Sequence, residues 1–335
     1  MTGDVAIVGG SLAGLATGIG LARRGILVNV FEQNTGEERG GTGLGVDRAL
    51  ITETTDGLRV HESARVDLIS SDDHRAYLSG PRITASADII IGADGYRSVV
   101  RRAVSPTRPF APYGGFLLWR GLVEESWLPK QMLAKTSLGG GRSPHPEAAR
   151  LVVYRVPGPD GETTPGKRSI TLAWYDASRT QWLSDRGYLV GDEVMGSVLP
   201  TAVDGELRAE LLAIAEKRWR GAAGEIITAA IEHKVIFGTP LAEYLPERLV
   251  AGRLALVGDA AHVASPMVGA GFSSGLQDGK AFITAVSRSG GTAAYAGDQA
   301  LRRYDEVRLV PNRRRVLESL AETQNLLRST AAQLN

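Results

Sequence analysis

Two glycines near the start of the chain have the spacing of a nucleotide-binding site. In residues 4–34, DVAIVGGSLAGLATGIGLARRGILVNVFEQN, Gly9 and Gly14 take the first and third glycine positions of the dinucleotide fingerprint G-x-G-x-x-G. Gly9 permits a tight turn after an apolar strand, and Gly14 permits close packing of a helix on that strand. Because the helix N-terminus presents N–H groups to a pyrophosphate, the segment predicts a bound dinucleotide.

Glu32 ends the second apolar strand of this segment, 18 residues after Gly14. A carboxylate at this place suits the hydroxyls of a ribose, and it disfavours a 2′-phosphate because two anions repel. Ser11 stands where the fingerprint has its second glycine. Serine is small and its hydroxyl can donate to a phosphate oxygen, so we expect a working variant of the site. The alternative is an ordinary strand–helix–strand unit that binds no ligand.

Two further stretches place an aspartate directly after an apolar strand. DIIIGADGYRSVVR (residues 88–101) carries Asp94 in the turn after its strand, and GRLALVGDAAHVASPMVGAGFSSGLQDGK (residues 252–280) carries Asp259 in the same way. A loop rich in proline and glycine follows Asp259, and then a helix. Ligands of open α/β sheets lie at the carboxyl ends of the strands, so all three turns are predicted at one ligand-binding edge.

The total composition excludes several other kinds of protein. The 335 residues are enough for two domains, and 38 basic against 37 acidic residues give a net charge of +1. This balance gives no electrostatic case for nucleic acid or an anionic membrane as a partner. The chain has no cysteine, and its five histidines lack metal-ligand spacing, so no disulfide or metal site is predicted. We expect a cytoplasmic protein, because no export signal is visible.

The elements that must position these residues are of two kinds. Apolar strands alternate with helices in residues 1–105 and 241–290, which predicts a discontinuous Rossmann-like α/β domain with a parallel sheet. Short β-branched and aromatic runs with turns between them in residues 106–240 predict an inserted antiparallel-sheet domain. An amphipathic helix is expected at 205–220, and residues 291–335 predict C-terminal helices.

The three stretches, in this order, resemble the fingerprints of FAD-dependent aromatic-ring monooxygenases, the para-hydroxybenzoate hydroxylase family. GGSLAGL and GFLLWRGLV (residues 115–123) are most similar to its 2,6-dihydroxypyridine 3-hydroxylase branch, and the resemblance covers most of the chain. The resemblance implies an FAD site lined by Gly9, Ser11, Leu12, Ala13 and Gly14 at the pyrophosphate, Glu32 and Gln33 at the adenosine, Asp94 near the pyrophosphate and the nicotinamide nucleotide, Asp259 at the ribityl chain, and Gly45, Val46, Pro266, Gly269, Gly271, Phe272 and Ser273 beside the flavin ring.

The resemblance also implies a reaction. NADH or NADPH would dock transiently and reduce FAD, and reduced FAD would react with O₂ to a C4a-hydroperoxide that hydroxylates an electron-rich aromatic or heteroaromatic small molecule. No catalytic residue is assigned, and His262 is expected to be structural. Two alternatives stay open: a flavoenzyme of this fold that catalyses epoxidation or Baeyer–Villiger oxidation, and a degenerate, flavin-poor relative that binds a small molecule without turnover. A homodimer is a further open alternative.

The sequence departs from the family pattern at two places. Gln33 follows Glu32 where the family usually has an arginine that stacks on adenine. The family also carries about fifty more residues, the size of a supersecondary unit, near Gly57 and Leu58. A natural deletion, an engineered chain and the omission of a segment from the sequence are the three explanations.

Side chains of the predicted antiparallel sheet are candidates for substrate contacts. Trp119, Tyr154 and Trp174 are predicted to line the substrate site, with the alternative that the two tryptophans are core residues of the sheet. Arg120 and Arg155 either pair with an anionic substrate or lie in solvent.

Overall fold

A computed structural model describes residues 3–34, 55–135, 141–142, 150–159, 161–219, 221–269, 271–288 and 293–334. The predictions for Gly45, Val46 and the side chain of Phe272 lie outside the described part of the chain. The described strands are β1 (Asp4–Val8), β2 (Leu27–Phe31), β3 (Leu58–His61), β4 (Leu68–Ser71), β5 (Ala76–Gly80), β6 (Ile83–Ala87), β7 (Ile89–Gly92), β8 (Tyr113–Glu124), β9 (Gly141–Arg142), β10 (Leu151–Val156), β11 (Ser169–Asp176), β12 (Leu189–Val190), β13 (Glu193–Val194), β14 (Phe237–Ala242), β15 (Val250–Ala251) and β16 (Leu254–Leu256). The described α-helices are α1 (Leu12–Ala22), α2 (Val99–Val104), α3 (Lys130–Lys135), α4 (Thr180–Asp185), α5 (Gly205–Arg218), α6 (Ala222–Glu232), α7 (Gly271–Arg288) and α8 (Ala293–Leu334).

The chain divides into two compact units. The first unit comprises residues 1–40, 48–112 and 242–323, and the second comprises residues 41–47, 113–241 and 324–335. None of the helices in the described ranges is long and apolar enough to cross a bilayer.

The first unit is built on a sheet with the strand order β15–β16–β7–β1–β2–β3. β1 pairs in parallel with β2 on one side and with β7 on the other, while β16 and β3 extend the parallel arrangement. A central parallel strand is covered on both faces, which requires continuous apolar sequence. The runs VAIV and IIIG meet this requirement, and the side chains of Ile7, Ile90 and Ile91 have no exposed surface.

Helix α1 connects β1 to β2 and lies close to the strand that precedes it. A Cβ atom on Gly14 would lie 2.3 Å from the Gly9 carbonyl oxygen and 3.3 Å from Ile7 Cγ2. No side chain fits in that space, which is the role that the fingerprint spacing predicts for Gly14. The second glycine position is occupied by Ser11, which is the residue immediately before the helix.

The second unit is built on an antiparallel sheet with the order β14–β8–β11–β10–β9. Its central pair joins β8 to β11 in a register that places Trp119 opposite Trp174. Helix α6 packs on β8 at Gly121, where a Cβ atom would lie 3.1 Å from Ala230 Cβ. The amphipathic helix expected at 205–220 is α5, which ends at Arg218.

The predicted fold class, a Rossmann-like parallel sheet with an antiparallel sheet inserted into the sequence, is confirmed. The C-terminal helices are α7 and α8, and α8 (Ala293–Leu334) runs without interruption for 42 residues. Pro311 lies inside this helix and removes one hydrogen bond of the helix. The buried side chains of Arg308 and Asn312 anchor the helix on both sides of the proline, so tertiary contacts carry the helix through it.

Candidate nucleotide-binding site

The turn after β1 requires glycine at position 9. Gly9 has a φ of +102°, and a Cβ atom there would lie 2.4 Å from the Ala93 carbonyl oxygen. The Gly9 N–H donates to the Phe31 carbonyl at 2.9 Å, and the Ala93 N–H donates to the Val8 carbonyl at 2.7 Å. The turn therefore lies between the carboxyl ends of β2 and β7, and three strand ends meet at one edge of the sheet.

Ser11 has a role in the structure that the fingerprint did not predict. Its hydroxyl oxygen accepts a hydrogen bond from the Gly14 N–H at 3.2 Å, and its backbone is extended, as is typical of a helix N-cap. Within the described part of the chain, no group accepts a hydrogen bond from the N–H of Leu12 or Ala13. These two donors, at the positive end of the α1 dipole, are available to an anionic ligand.

Glu32 is buried at the carboxyl end of β2 and is held by backbone donors. One carboxylate oxygen accepts from the Gly10 N–H at 2.7 Å, and the other accepts from the Asn34 N–H at 2.9 Å. A carboxylate has about four lone-pair sites, so Glu32 keeps acceptor capacity for a ligand hydroxyl. The Gly10 contact also fixes the glycine turn relative to the end of β2.

Asp94 follows β7 and lies against the Gly9 turn, as predicted for its place in the chain. A Cβ atom on Gly9 would lie 2.8 Å from Asp94 Cα. Its carboxylate accepts from the Ser98 hydroxyl and, at 2.7 Å, from the Val99 N–H, so it holds the start of α2. Burial raises the pKa of Asp94 and outweighs these hydrogen bonds, which lower it.

Arg101 is a functional-site residue that the sequence analysis missed. Its side chain has no exposed surface, and its guanidinium lies 4.4 Å from the centroid of the Tyr244 ring. It donates to the carbonyls of Asp259 at 3.3 Å and Ala260 at 3.2 Å, which ties the turn after β7 to the turn after β16. Burial lowers the pKa of Arg101 to about 10, so the group stays charged at neutral pH. The only signal in the sequence is that Arg101 directly follows the apolar residues Val99 and Val100 at the end of DGYRSVVR.

Asp259 lies in the short 3₁₀ turn Gly258–Ala260 that follows β16. Gly258 has a φ of +60°, and a Cβ atom on it would lie 3.1 Å from Ala13 Cβ, so this turn packs against the start of α1. Asp259 is exposed to solvent. Desolvation raises the pKa of its carboxyl group. An exposed carboxylate can accept hydrogen bonds from a ligand.

A buried polar network lies behind this turn. Asp278 accepts from the Gly258 N–H at 3.0 Å and lies 2.8 Å from Nε2 of His262. Its other oxygen accepts from Arg308 Nε at 2.8 Å and from Asn312 Nδ2 at 3.0 Å. Burial opposes the charge, but the hydrogen bond from His262 and the charge of Arg308 outweigh it and lower the pKa of Asp278. The His262 ring contacts Asp278 and Ser274, two buried residues of this network. The sequence analysis did not single out Asp278 in GLQDGK.

The loop after His262 contains several further predicted cofactor residues. Pro266 begins the 3₁₀ turn Pro266–Val268, and Gly269 ends it in the left-handed conformation with a φ of +61°. Gly271 and Ser273 are exposed in the first turn of α7. Gln33 is also exposed, directly after Glu32.

The two predicted tryptophans lie inside the second unit. Trp119 and Trp174 are fully buried, and the Trp119 indole donates to Asp176 at 3.1 Å. The guanidinium of Arg179 donates to the same carboxylate oxygen at 2.9 Å, which makes this a closed structural cluster. These contacts favour the alternative in which the tryptophans are core residues.

Arg155 is half-buried and paired with a carboxylate, so the expectation that it simply lies in solvent is wrong. It forms an ion pair with Glu125 at 2.8 Å, and Arg168 binds the same carboxylate at 2.8 Å. The Gly166 N–H donates to Glu125 at 2.7 Å. Burial raises the pKa of Glu125, but the hydrogen bonds from Arg168, Gly166 and Arg155 prevail and bring it to about 2. The sequence did not reveal this pairing, because 30 residues separate Glu125 from Arg155.

Tyr154 and Arg120 share the other face of this sheet. Strand pairing places Tyr154 opposite Thr171 and Arg120 opposite Ala173, on the side away from the buried tryptophans. Both side chains are half-buried, and the Arg120 guanidinium lies 5.7 Å from the centroid of the Phe237 ring. Burial lowers the pKa of Arg120. Within the described ranges, no group of three or more histidine, aspartate or glutamate side chains could hold a metal ion.

Two family models match the chain. A model described as FAD binding domain-like matches residues 113–203, and a model described as FAD binding domain matches residues 213–317. Among curated proteins, the 3-amino-4-hydroxybenzoate 2-monooxygenase of Streptomyces cremeus is 27% identical over 225 residues, covering 67% of this chain and 46% of that protein. The 2,6-dihydroxypyridine 3-monooxygenase of Paenarthrobacter nicotinovorans is 24% identical over 353 residues, covering 86% of this chain and 84% of that protein. The chain thus spans about half the length of the first relative and most of the second.

Solved structures share the fold over nearly the whole chain. The structure of 2,6-dihydroxypyridine-3-hydroxylase from Arthrobacter nicotinovorans aligns with a TM-score of 0.79 at 18% identity, covering 97% of this chain and 93% of that one. Klebsiella pneumoniae HpxO, complexed with FAD and uric acid, aligns with a TM-score of 0.65 at 20% identity, covering 98% and 91%. At these identities the likeness is one of fold.

Proposed function

The chain belongs to the family of FAD-dependent aromatic-ring monooxygenases, and on this basis we propose that it hydroxylates an electron-rich aromatic or heteroaromatic small molecule. FAD is the cofactor, NADH or NADPH is the reductant, and O₂ is the co-substrate. The observation that carries the proposal is the meeting of the Gly9 turn, Glu32 and the accessible Asp259 at one edge of the parallel sheet.

The residues at this edge fit a flavin dinucleotide. The Gly9 turn leaves no space for a side chain, so the backbone itself faces the ligand, and the N–H groups of Leu12 and Ala13 are available to the pyrophosphate. Glu32 keeps acceptor capacity for the adenosine ribose, and the accessible carboxylate of Asp259 suits the hydroxyls of the ribityl chain.

When bound, FAD supplies the redox chemistry, which is hydride uptake from the nicotinamide and activation of O₂ for transfer of one oxygen atom. The protein contributes orientation and exclusion of water. Arg101 and Asp278 bind the backbone of residues 258–260, so the turn that carries Asp259 is held in place before a ligand arrives. No general acid or base is assigned, in keeping with chemistry that resides in the cofactor.

Residues 106–240 are the proposed substrate domain. We place the substrate contacts on the face of the antiparallel sheet that carries Tyr154 and Arg120, because these side chains are half-buried and polar. Trp119 and Trp174 support this sheet from the other face. The substrates named for the two curated relatives, an aminohydroxybenzoate and a dihydroxypyridine, are both electron-rich rings and form the first panel to test.

A specific observation favours a second candidate, a flavin-poor relative without turnover. The alignment with the 2,6-dihydroxypyridine 3-monooxygenase runs over 353 residues, more than the 335 of this chain, and therefore includes residues of the relative with no counterpart here. This agrees with a shortened chain, and Gly57 and Leu58 are the place at which we propose the missing block. If that block completes the cofactor site, the shortened chain would bind a small molecule without redox chemistry.

The visible absorption spectrum of the purified protein, recorded before and after FAD addition and desalting, separates the two candidates. We expect flavin bands at near-stoichiometric occupancy, followed by NADH or NADPH oxidation that rises when a substrate of the panel is added. Product analysis then distinguishes hydroxylation from epoxidation and Baeyer–Villiger oxidation. A protein that stays colourless and retains no added FAD would overturn the monooxygenase proposal in favour of the second candidate.

A further inference from the structure

His61, the last residue of β3, carries an exposed ring that is held in place by two contacts. One face of the imidazole stacks on Phe31, with ring centroids 4.9 Å apart and an angle of 12° between the planes. Its Nε2 lies 2.9 Å from Asn29 Oδ1. Phe31 is buried, whereas His61 is exposed to solvent. An aromatic ring that is fixed on one face and exposed to solvent is a ready surface for stacking a second ring.

Backbone hydrogen bonds hold His61 next to Glu32. The Glu32 N–H donates to the His61 carbonyl at 2.9 Å, and the Ala64 N–H donates to the Glu32 carbonyl at 2.8 Å. Glu62 and Ser63 form a tight turn between these two hydrogen bonds, and Ser63 has a φ of +52°. A serine in the left-handed region is strained and is retained where the surrounding structure demands it, often at ligand sites. This turn is therefore hydrogen-bonded on both sides to Glu32, the predicted ribose residue.

The strand order indicates which part of a bound dinucleotide would lie near His61. The sheet runs β7–β1–β2–β3, the pyrophosphate donors follow β1, and the ribose carboxylate follows β2. In a dinucleotide the base is attached to the ribose on the side away from the pyrophosphate. Continuing along the sheet by one strand of about 4.8 Å leads to the end of β3, where His61 lies.

We propose that the open face of His61 stacks on the adenine ring of FAD. The inference rests on the proposed function and extends it to the base-recognition half of the cofactor site. An imidazole offers the base a flat aromatic ring, and stacking of a nucleobase on an aromatic side chain requires no charge on either partner. Gln33, the exposed residue after Glu32, has no ring to serve this purpose.

The test compares FAD with FMN, which contains the flavin but no adenine. Dissociation constants for both are measured by quenching of flavin fluorescence in the full chain carrying His61→Ala, His61→Phe or, as the control, His74→Ala. His74 is an exposed histidine of the same unit, in the turn between β4 and β5. Circular dichroism melting of each variant reports on folding.

We expect His61→Ala to weaken FAD binding about tenfold, since one stacked base contributes on the order of 1 to 3 kcal/mol, and to leave FMN binding unchanged. His61→Phe restores FAD affinity because it keeps the ring, and His74→Ala matches the unsubstituted protein. Equal losses for FAD and FMN, or unchanged FAD affinity in His61→Ala, would overturn the stacking role while leaving the proposed function intact. If the unsubstituted protein binds neither flavin, the proposed function and this inference fall together.

Discussion

The carboxylate of Asp278 accepts a hydrogen bond from the backbone N–H of Gly258 at a distance of 3.0 Å. Asp278 lies on α7, and Gly258 immediately precedes Asp259, the predicted ribityl ligand. Arg308 and Asn312 from α8 hold the other oxygen of the same carboxylate. The position of Asp259 after β16 is therefore set by side chains 19 to 53 residues further along the chain.

Asp278→Asn should destabilise the protein strongly. The substitution leaves the buried Arg308 guanidinium without its charge partner and turns an amide N–H₂ group toward existing donors. Removing one partner of a buried pair costs about 3 to 5 kcal/mol, and urea unfolding measures the loss. The matched control is Asp298→Asn, which breaks the exposed pair with Arg302 and should change stability by less than about 1 kcal/mol. Equal effects of the two substitutions would contradict this account of the network.

Gly9→Ala should abolish FAD binding and lower stability. The added Cβ would lie 2.4 Å from a backbone carbonyl, and the φ of +102° disfavours any L side chain. Gly25→Ala is the control, because Gly25 also has a positive φ, +79°, but its Cβ would meet no atom within 4 Å. We expect the control to cost about 1 kcal/mol through backbone strain alone and to retain FAD. Fluorescence titration with FAD and thermal melting give the two readouts, and FAD binding by Gly9→Ala would disprove the tight-turn role.

Ser11 substitutions test whether this residue acts as a helix cap. Ser11→Ala removes the acceptor of the Gly14 N–H and should cost about 1 kcal/mol, whereas Ser11→Gly should cost only a few tenths. Urea unfolding of the two variants gives the comparison. If Ser11→Gly binds FAD as well as the unsubstituted protein does, the serine is a structural cap; a loss of affinity would show that the hydroxyl contacts the cofactor.

The stability of the second unit should fall in acid as Glu125 titrates. Its folded-state pKa of about 2 lies below the ordinary value of 4.5. A lowered carboxyl pKa contributes stability that is fully present above about pH 4.5 and is lost as the pH falls toward 2. Glu125→Gln, which leaves two arginines without their partner, should cost on the order of 3 kcal/mol at pH 7 and should flatten this acid dependence. Unfolding midpoints measured between pH 2 and 7 test the prediction, and an unchanged slope in the variant would refute it.

Asp259→Asn should weaken FAD binding without loss of stability. Asp259 is exposed, and desolvation raises rather than lowers the pKa of its carboxyl group, so its charge adds no stability at neutral pH and we expect an unchanged melting temperature. A carboxylate that accepts hydrogen bonds from a ligand contributes about 1.5 to 3 kcal/mol, so FAD affinity should fall at least about tenfold. A variant that is less stable and binds FAD normally would assign Asp259 a structural role.

Local sequence predicted the parts of the site that depend on backbone chemistry. Gly9 and Gly14 occupy positions where a Cβ atom would collide with backbone, and this requirement is visible in the spacing alone. The apolar runs before Asp94 and Asp259 also specify buried parallel strands, since only such strands need continuous hydrophobic sequence. These features are read within short windows, so the parallel core and its ligand-binding edge followed from the sequence.

Tertiary structure decided the partners of the charged and polar side chains. The sequence left a substrate contact or solvation open for Arg155, which pairs with Glu125 in the structure. Arg101 reaches the carbonyls of Asp259 and Ala260 from about 160 residues away. Sequence spacing cannot reveal such pairs, because a buried charge is satisfied by whichever group the packing of distant elements brings within about 3 Å. The sequence alone determined where backbone must approach a nucleotide, and the fold determined which side chains hold that backbone in place.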